Sequence, residues 1–241
     1  MKHFEIRQFE SLPSTNETLK TLAAQGAADG TVVTALRQTA GKGTRGRSFF
    51  SPAGGLYFSV LLRRPAREDL LLLTPLAAVA AARACEDICG VPVGIKWVND
   101  LYLDGKKISG TLTETTFGAD GAPAFTVIGT GINLAPPEGG FPDELRDRAG
   151  TLPGAPDRGK LLERCLFYLE KYLSELSDRT FLPEYRQRMI LTGKTVTATV
   201  AGKQMTGIAE GVGDDCSLIL RLSDGSVCPL RDIDILINDM I

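Results

Sequence analysis

The sequence has little of what side-chain nucleophiles and metal centres need. Its 241 residues hold one histidine, His3. A single imidazole cannot build a zinc site, and a Ser-His-Asp triad resting on residue 3 would be eccentric, which argues against metal and triad hydrolase chemistry. Five cysteines (Cys85, Cys89, Cys165, Cys216, Cys228) form no CxxC pair and are odd in number. They read as reduced structural thiols of a cytosolic protein. No apolar run reaches membrane-spanning length; the longest, around residues 70–84, carries Arg83 and is followed by Glu86. The N-terminus, MKHFEIRQFE, alternates apolar and polar residues as a strand does and lacks the form of a signal peptide. The Asn16-Glu17-Thr18 sequon therefore has no secretory context. At −2 the formal net charge is not that of a nucleic-acid binder.

Against this background residues 37–52, RQTAGKGTRGRSFFSP, stand out. They hold Arg37, Lys42, Arg45 and Arg47, three glycines (Gly41, Gly43, Gly46) and no acid. Glycines let the backbone bend around an anion and the cations neutralise it, so the segment reads as a phosphate-gripping loop. Its glycines match G-x-G-x-x-G, but Phe49, Phe50, Ser51, Pro52 and Gly54-Gly55 follow where a dinucleotide site needs a helix. A Gly-Lys-Ser/Thr at the fixed distance from an earlier glycine, as a Walker A loop needs, is also missing.

The remaining chain alternates strands and helices. Ser14 and Glu17 form a capping-box pattern ahead of a helix carrying Leu19, Leu22 and Ala23 on one side. Residues 31–36 and 55–63 read as strands, and residues 74–89 as an Ala-rich helix stopped by Gly90 and Pro92. Strand-like runs follow at 94–97, 101–103, 107–116 and 125–134, with Asp104-Gly105 as a hairpin signal and 119–122 as a second turn. Residues 136–156 are Pro- and Gly-rich and read as a surface excursion. An amphipathic helix spans 158–176, a second helix 181–191. After Gly193 short β-rich runs separated by turns at Gly202, Asp214-Asp215 and Asp224-Gly225 read as a small β-barrel. The expected organisation is a domain of residues 1–190 and a module of 191–241.

Five motifs in order resemble those of the biotin–protein ligases. Ser14-Thr15-Asn16 is similar to the family's biotin-contacting turn, and residues 37–52 to its ligand-ordered loop. Lys96-Trp97-Val98-Asn99-Asp100 resembles K-W-P-N-D, and Lys107-Ile108-Ser109-Gly110, with Glu114 beyond, resembles K-[LI]-[AS]-G. Gly129-Thr130-Gly131-Ile132-Asn133 resembles G-x-G-I-N. There are departures. Lys42 and Thr44 stand where two arginines are common, Val98 stands for proline, and Phe49 for tryptophan. Thr44 matters most, because the family arginine helps retain the activated intermediate.

The resemblance implies an α+β fold: a mixed, largely antiparallel sheet with packed helices, similar to class II synthetases, plus a C-terminal SH3-like barrel. It implies a cytoplasmic ATP-dependent ligase that forms biotinyl-5′-AMP and transfers biotin to a lysine of a biotin carboxyl carrier protein or domain, as in acetyl-CoA carboxylase. Mg²⁺ is expected with ATP, with Asp100 as a candidate ligand. Lys107, Arg45, Arg47 and Lys96 are the implied catalytic cations. Ser14, Thr15, Asn16, Gln38, Gly41, Lys42 and Gly110 are the implied biotin contacts. Arg45, Phe49, Asn99, Asp100, Lys107 and Asn133 are the implied nucleotide contacts.

By residue type alone, Lys107 also reads as a hairpin-edge lysine beside Lys106, Ser14 as a helix cap, Asp100 as a turn former and Trp97 as core. With about a dozen residues before Ser14, a DNA-binding helix-turn-helix is not expected; neither is a membrane partner, and a homodimer is plausible by family analogy alone. Two alternatives remain at this point: a lipoate or octanoyl ligase of the same fold, and a nucleic-acid-binding module.

Overall fold

The computed structural model describes residues 4–200, 203–231 and 235–238; at residue 45 and at 235–238 it describes the backbone only. The readings made for His3 and for a turn at Gly202 lie outside the described residues.

The chain opens with β1 (Glu5–Leu12), α1 (Thr15–Ala24) and β2 (Thr31–Gln38), a crossover that leaves β1 and β2 parallel. Then come β3 (Gly55–Arg63), α2 (Leu70–Cys89), β4 (Gly94–Lys96), β5 (Asp100–Leu103), β6 (Lys106–Phe117) and β7 (Pro123–Asn133). These strands form one seven-stranded sheet in the order β1-β2-β3-β7-β6-β5-β4, antiparallel except for the first pair. Helices α3 (Asp143–Arg146), α4 (Arg158–Ser174) and α5 (Leu182–Arg188) follow. Strands β8 (Thr195–Val200), β9 (Lys203–Val212), β10 (Leu218–Leu222), β11 (Val227–Leu230) and β12 (Ile235–Asn238) make a second, antiparallel sheet in the order β11-β10-β9-β8-β12. The expected α+β architecture is present. The expected barrel is not closed: among the described residues no ladder joins β11 to β12, and the sheet stays open.

The period of two along β3 sorts the core. Leu56, Phe58, Val60 and Leu62 face the cluster built with α2 and α4, while Leu61 packs with Leu19 and Ala23 of α1 on the other side. Every residue of β3 except Arg63 is buried, as a central strand covered on both faces requires. The Asp104-Gly105 signal becomes a two-residue hairpin loop between β5 and β6, with positive φ at both residues (49° and 75°), as a type I′ turn needs.

The largest differences from the sequence reading lie in the helices. Helix α2 starts at Leu70 rather than residue 74, with Pro75 inside it. The missing N–H is tolerated because Leu72, Leu73 and Leu76 are buried in the core, and that burial outweighs local propensity. The excursion at 136–156 contains the single turn α3, and the two later helices end earlier than expected, at Ser174 and Arg188.

Trp97 is 7% exposed, and its indole N–H donates to Cys216 O at 2.9 Å, tying the first sheet to the second. The Trp97–Val98 peptide is cis. All five cysteines are unpaired, and burial pushes the Cys165 and Cys216 thiols up to about 12, consistent with inert packing groups.

Candidate active site

The face of the first sheet turned away from α2 carries a trough. Register places Tyr57, Gly131 and Gly110 in one cross-strand row, and Ser59, Gly129 and Leu112 in the next. Alternation therefore puts three glycines on one face, where side chains would otherwise stand. A Cβ at Gly131 would lie 2.6 Å from the Phe49 ring, one at Gly110 3.3 Å from the same ring, and one at Gly129 2.0 Å from Asn16 Oδ1. The trough is therefore packed to its floor, by Phe49 at one end and Asn16 at the other.

The start of α1 forms one wall. Ser14 caps the helix, its Oγ accepting the Glu17 N–H at 3.5 Å. Only half of the expected capping box forms, because the Glu17 carboxylate turns to Lys20 (2.6 Å) and Lys42 (2.7 Å). Those two hydrogen bonds, Lys20's the larger, hold the Glu17 carboxyl below its usual range. Ser14, Thr15 and Asn16 are each at most 4% exposed.

Residues 41–49 form the lid. Gly43 N–H donates to Arg47 O (2.7 Å) and Phe49 N–H to Gly41 O (2.9 Å), around a 3-10 turn at Thr44–Gly46. Thr44 holds Arg47: the guanidinium donates to Thr44 O (3.3 Å) and to Thr44 Oγ1 (3.0 Å). Tyr57, a phenol raised by burial and so kept as a donor, bonds Pro52 O at 2.8 Å and anchors the exit of the lid.

Lys107 occupies the far end. Its ammonium is 2.7 Å from Asp100 Oδ1 and lies over the Phe49 ring, 5.8 Å from the centroid. Asn99, next to it, donates to Thr111 O at 2.6 Å.

Together these elements enclose a cavity of about 150 Å³. Ser14, Thr15, Asn16, Gln38, Lys42, Arg47, Phe49, Asn99, Asp100, Lys107 and Gly110 all line it. The wall is uncharged at the α1 end and cationic at the lid and β6. Gly41, Lys96 and Asn133 are not among the lining residues. Gly41 sits at the root of the lid, where a Cβ would meet Phe49 O at 2.4 Å. Lys96 is the cross-strand partner of Asp100, but its ammonium lies over Tyr102, 6.0 Å from the ring centroid. Asn133 donates to Gly150 O at 2.9 Å and fixes the 150 loop instead. The Arg45 side chain lies outside the described atoms. Sequence reasoning passed over Thr111, Thr130, Gly129 and Gly131 as lining residues; the signal was the period-two spacing of Gly129 and Gly131 on a buried strand.

Comparison with known proteins bears on this cavity directly. The model of the biotin/lipoate A/B protein ligase family matches residues 8–133, which contain every lining residue, and that of the biotin protein ligase C-terminal domain matches residues 191–234. The chain belongs to the biotin/lipoate A/B protein ligase family. It is 32% identical over 238 residues to the biotin–[acetyl-CoA-carboxylase] ligase of Paracoccus denitrificans, covering 91% of this chain and 96% of that one. It is 34% identical over 227 residues to the bifunctional ligase/repressor BirA of Bacillus subtilis, covering 89% and 68%. Among solved structures, the biotin protein ligase of Aquifex aeolicus in complex with biotin and ATP superposes with a TM-score of 0.84 at 27% identity, covering 97% and 98%. For a member of this family, the cavity joins a neutral polar wall to a cationic one under a single lid.

Proposed function

We propose that the protein is an ATP-dependent biotin–protein ligase. Biotin's carboxylate attacks the α-phosphate of ATP; a carboxyl–phosphate bond forms, the bond to the β-phosphate breaks, and pyrophosphate leaves. The ε-amine of a carrier-protein lysine then attacks the acyl carbon, and AMP departs. The substrate carboxylate is its own nucleophile, so the scarcity of histidine and the burial of Cys85, Cys165 and Cys216 are no obstacle. What remains for the protein is placement and positive charge.

The observation that carries this reading is the polarity of the cavity. Ser14, Thr15 and Asn16, all buried, and the partly buried Gln38 give uncharged hydrogen-bonding groups at one end, and Lys107 and Arg47 give cations at the other, while Lys42 is held to Glu17 of α1. A cyclic urea joined by an aliphatic chain to a carboxylate needs that sequence of environments. A lipoyl dithiolane would leave the hydroxyls and amides unpaired, which disfavours the lipoate alternative. A concave cavity in a chain of net charge −2 disfavours the nucleic-acid module. Lys107 bridges the carboxylate and the α-phosphate as charge moves between them. A magnesium ion brought with ATP would neutralise phosphate charge; Asp100, the one carboxylate lining the cavity among the described side chains, fits as its protein ligand, since such ions keep their waters and phosphates and take few carboxylates. We place Gly110 and Gly41 with the biotin contacts, Phe49 and Asn99 with the nucleotide contacts, and Arg45 with Arg47 on the phosphates. The division into residues 1–190 and 191–241, a carrier domain of a biotin-dependent carboxylase as acceptor, and a cytoplasmic setting belong to the same proposal, the last supported by five unpaired thiols. Among the described residues no helix is long and apolar enough to cross a membrane.

The deciding experiment is pyrophosphate release with biotin and ATP, followed by mass spectrometry of a carrier domain. Turnover with lipoate but not biotin would refute the proposal.

A cavity of about 150 Å³ is smaller than the roughly 300 Å³ at which small-molecule sites begin. The lid must open and Phe49 must leave the glycine floor for substrates to enter. Trypsin is expected to cut the ligand-free protein within residues 42–47, and biotin with ATP to slow that cleavage by about tenfold or more. Glu17→Gln, which weakens the Lys42 latch and leaves Lys42, Arg45 and Arg47 in place, should speed cleavage of the free form. Equal cleavage rates with and without ligands would rule out closure.

A further inference from the structure

Behind the uncharged wall lies a hydrogen-bonded chain whose direction can be read atom by atom. The Asn16 amide N–H₂ donates to Leu112 O at 3.3 Å and to the Glu114 carboxylate at 2.8 Å. Both partners can only accept, so the amide has one orientation. The other Glu114 oxygen is 2.7 Å from the Lys20 ammonium. Asn16 Oδ1, left to accept, is 2.6 Å from Ser59 Oγ. Ser59 is fully buried and has one hydroxyl proton, which goes to Asn16. Its oxygen therefore accepts from the Thr15 hydroxyl, 2.8 Å away. Gln38 Oε1 takes the Thr15 backbone N–H at 2.8 Å and lies 3.2 Å from Thr15 Oγ1, a longer contact than the 2.8 Å to Ser59 Oγ, so the hydroxyl proton goes to Ser59; Gln38 Nε2 gives one proton to Ser51 Oγ at 2.9 Å.

Three capacities remain for the cavity. Thr15 Oγ1, its proton committed, offers a lone pair. Gln38 Nε2 offers its second N–H. Ser14 Oγ, already accepting from Glu17 N–H, offers its hydroxyl proton.

We infer that Glu114, which does not line the cavity, is a positioning residue that sets the donor and acceptor polarity of this wall through Asn16 and Ser59. Resting on the biotin reading above, this assigns the specificity of the site: two donors and one acceptor complement a cyclic urea's carbonyl oxygen and N–H. Turning the Asn16 amide round would reverse the chain: Thr15 Oγ1 would then accept from Ser59, give up the lone pair offered to a urea N–H, and turn its proton toward Gln38 Oε1, 3.2 Å away, or the cavity. Lys20 holds Glu114 in place but touches neither Asn16 nor the cavity.

The test is a charge-swapped pair, Lys20→Glu with Glu114→Lys. The pair between positions 20 and 114 survives, the pair with Glu17 is lost as it also is in Lys20→Met, and an ammonium now faces the Asn16 N–H₂ and drives the amide to turn. The dissociation constant for biotin alone, by titration calorimetry, should rise about tenfold or more, as should the KM for biotin. The KM for ATP should stay within about twofold, and Lys20→Met, which leaves Glu114 on Asn16, should bind biotin like the wild type. A folded swap variant with unchanged biotin affinity overturns the inference. Should the swap not fold, the near-isosteric Glu114→Gln decides: an amide can present either group, so biotin affinity should fall about threefold with ATP untouched, and no change overturns the inference. Failure of the wild-type protein to bind biotin would instead overturn the functional reading, and this inference with it.

Discussion

Lys107→Ala is expected to lower pyrophosphate release by about three orders of magnitude while leaving the fold intact. The size follows from what the side chain does. It is the cation of β6 at the cavity end opposite the uncharged wall, and removing one preorganised charge from developing anionic charge typically costs a factor of about 10² to 10³. Stability should barely change. The Lys107 side chain is one-third exposed, and its pair with Asp100, itself partly exposed, is worth about 1 kcal/mol at most. What holds the backbone there is independent of the side chain: Lys107 N–H donates to Arg148 O at 2.7 Å and Lys107 O accepts from Gly150 N–H at 2.8 Å. Lys107→Arg should recover only part of the rate, because a planar fork cannot replace a compact point charge between two substrates. Near-normal pyrophosphate release by the alanine variant would remove Lys107 from the chemistry.

The chain announced its fold where local chemistry and tertiary demand agree. Asp104-Gly105 had to be a hairpin turn because two successive residues with positive φ suit that pair. The buried strand Gly55–Arg63 was plain from its strongly apolar run, and α4 from its 3.6-residue period. Local reading failed where packing overruled it. The helix was read from residue 74, yet Leu72 and Leu73 before it are held in the core and carry the helix back to Leu70. Closure of the second sheet was expected from a run of short strands and turns and from the family resemblance, and neither says whether the first and last strands meet.

The site shows the same division. Residues in short contiguous motifs, such as Ser14-Thr15-Asn16 and Lys107 with Gly110, converge on one cavity. Lys96 and Asn133 belong to equally clear motifs, yet their side chains serve Tyr102 and Gly150, because only registry decides which way a strand residue reaches. The contacts between Asn16, Ser59 and Glu114 join residues 43 and 98 positions apart and carry no local pattern. Thr44 is a different case. Its position was legible as a departure from the family loop, but its hydrogen bonds to Arg47 were not. A threonine there gives up one cation and orients another.

Gly129→Ala should damage both stability and biotin binding, because one methyl group strikes the centre of the polar wall. The new Cβ would lie 2.0 Å from Asn16 Oδ1 and 2.8 Å from Asn16 Cγ. Such a clash is cheap when the neighbour is the free end of a flexible side chain. Asn16 is not free: Ser59, Glu114 and Leu112 hold both ends of its amide, and it is 4% exposed. Moving it leaves the fully buried Ser59 hydroxyl without its acceptor and strains a central strand, at about 2–4 kcal/mol. For a chain of this size that corresponds to a fall in Tm of roughly 5–15 °C. The polarity of the wall is lost with Asn16, so the biotin dissociation constant should rise by about two orders of magnitude, beyond what the melting shift predicts at assay temperature. Gly131→Ala provides the contrast. Its Cβ meets the Phe49 ring, carried on a lid that has to move in any case, so Tm should hold while turnover falls. Thermal melts and biotin titrations on the two variants separate these outcomes. Equal melting losses for both would mean that the two glycines are packing positions, and that neither a fixed amide nor a movable ring distinguishes the ends of the trough.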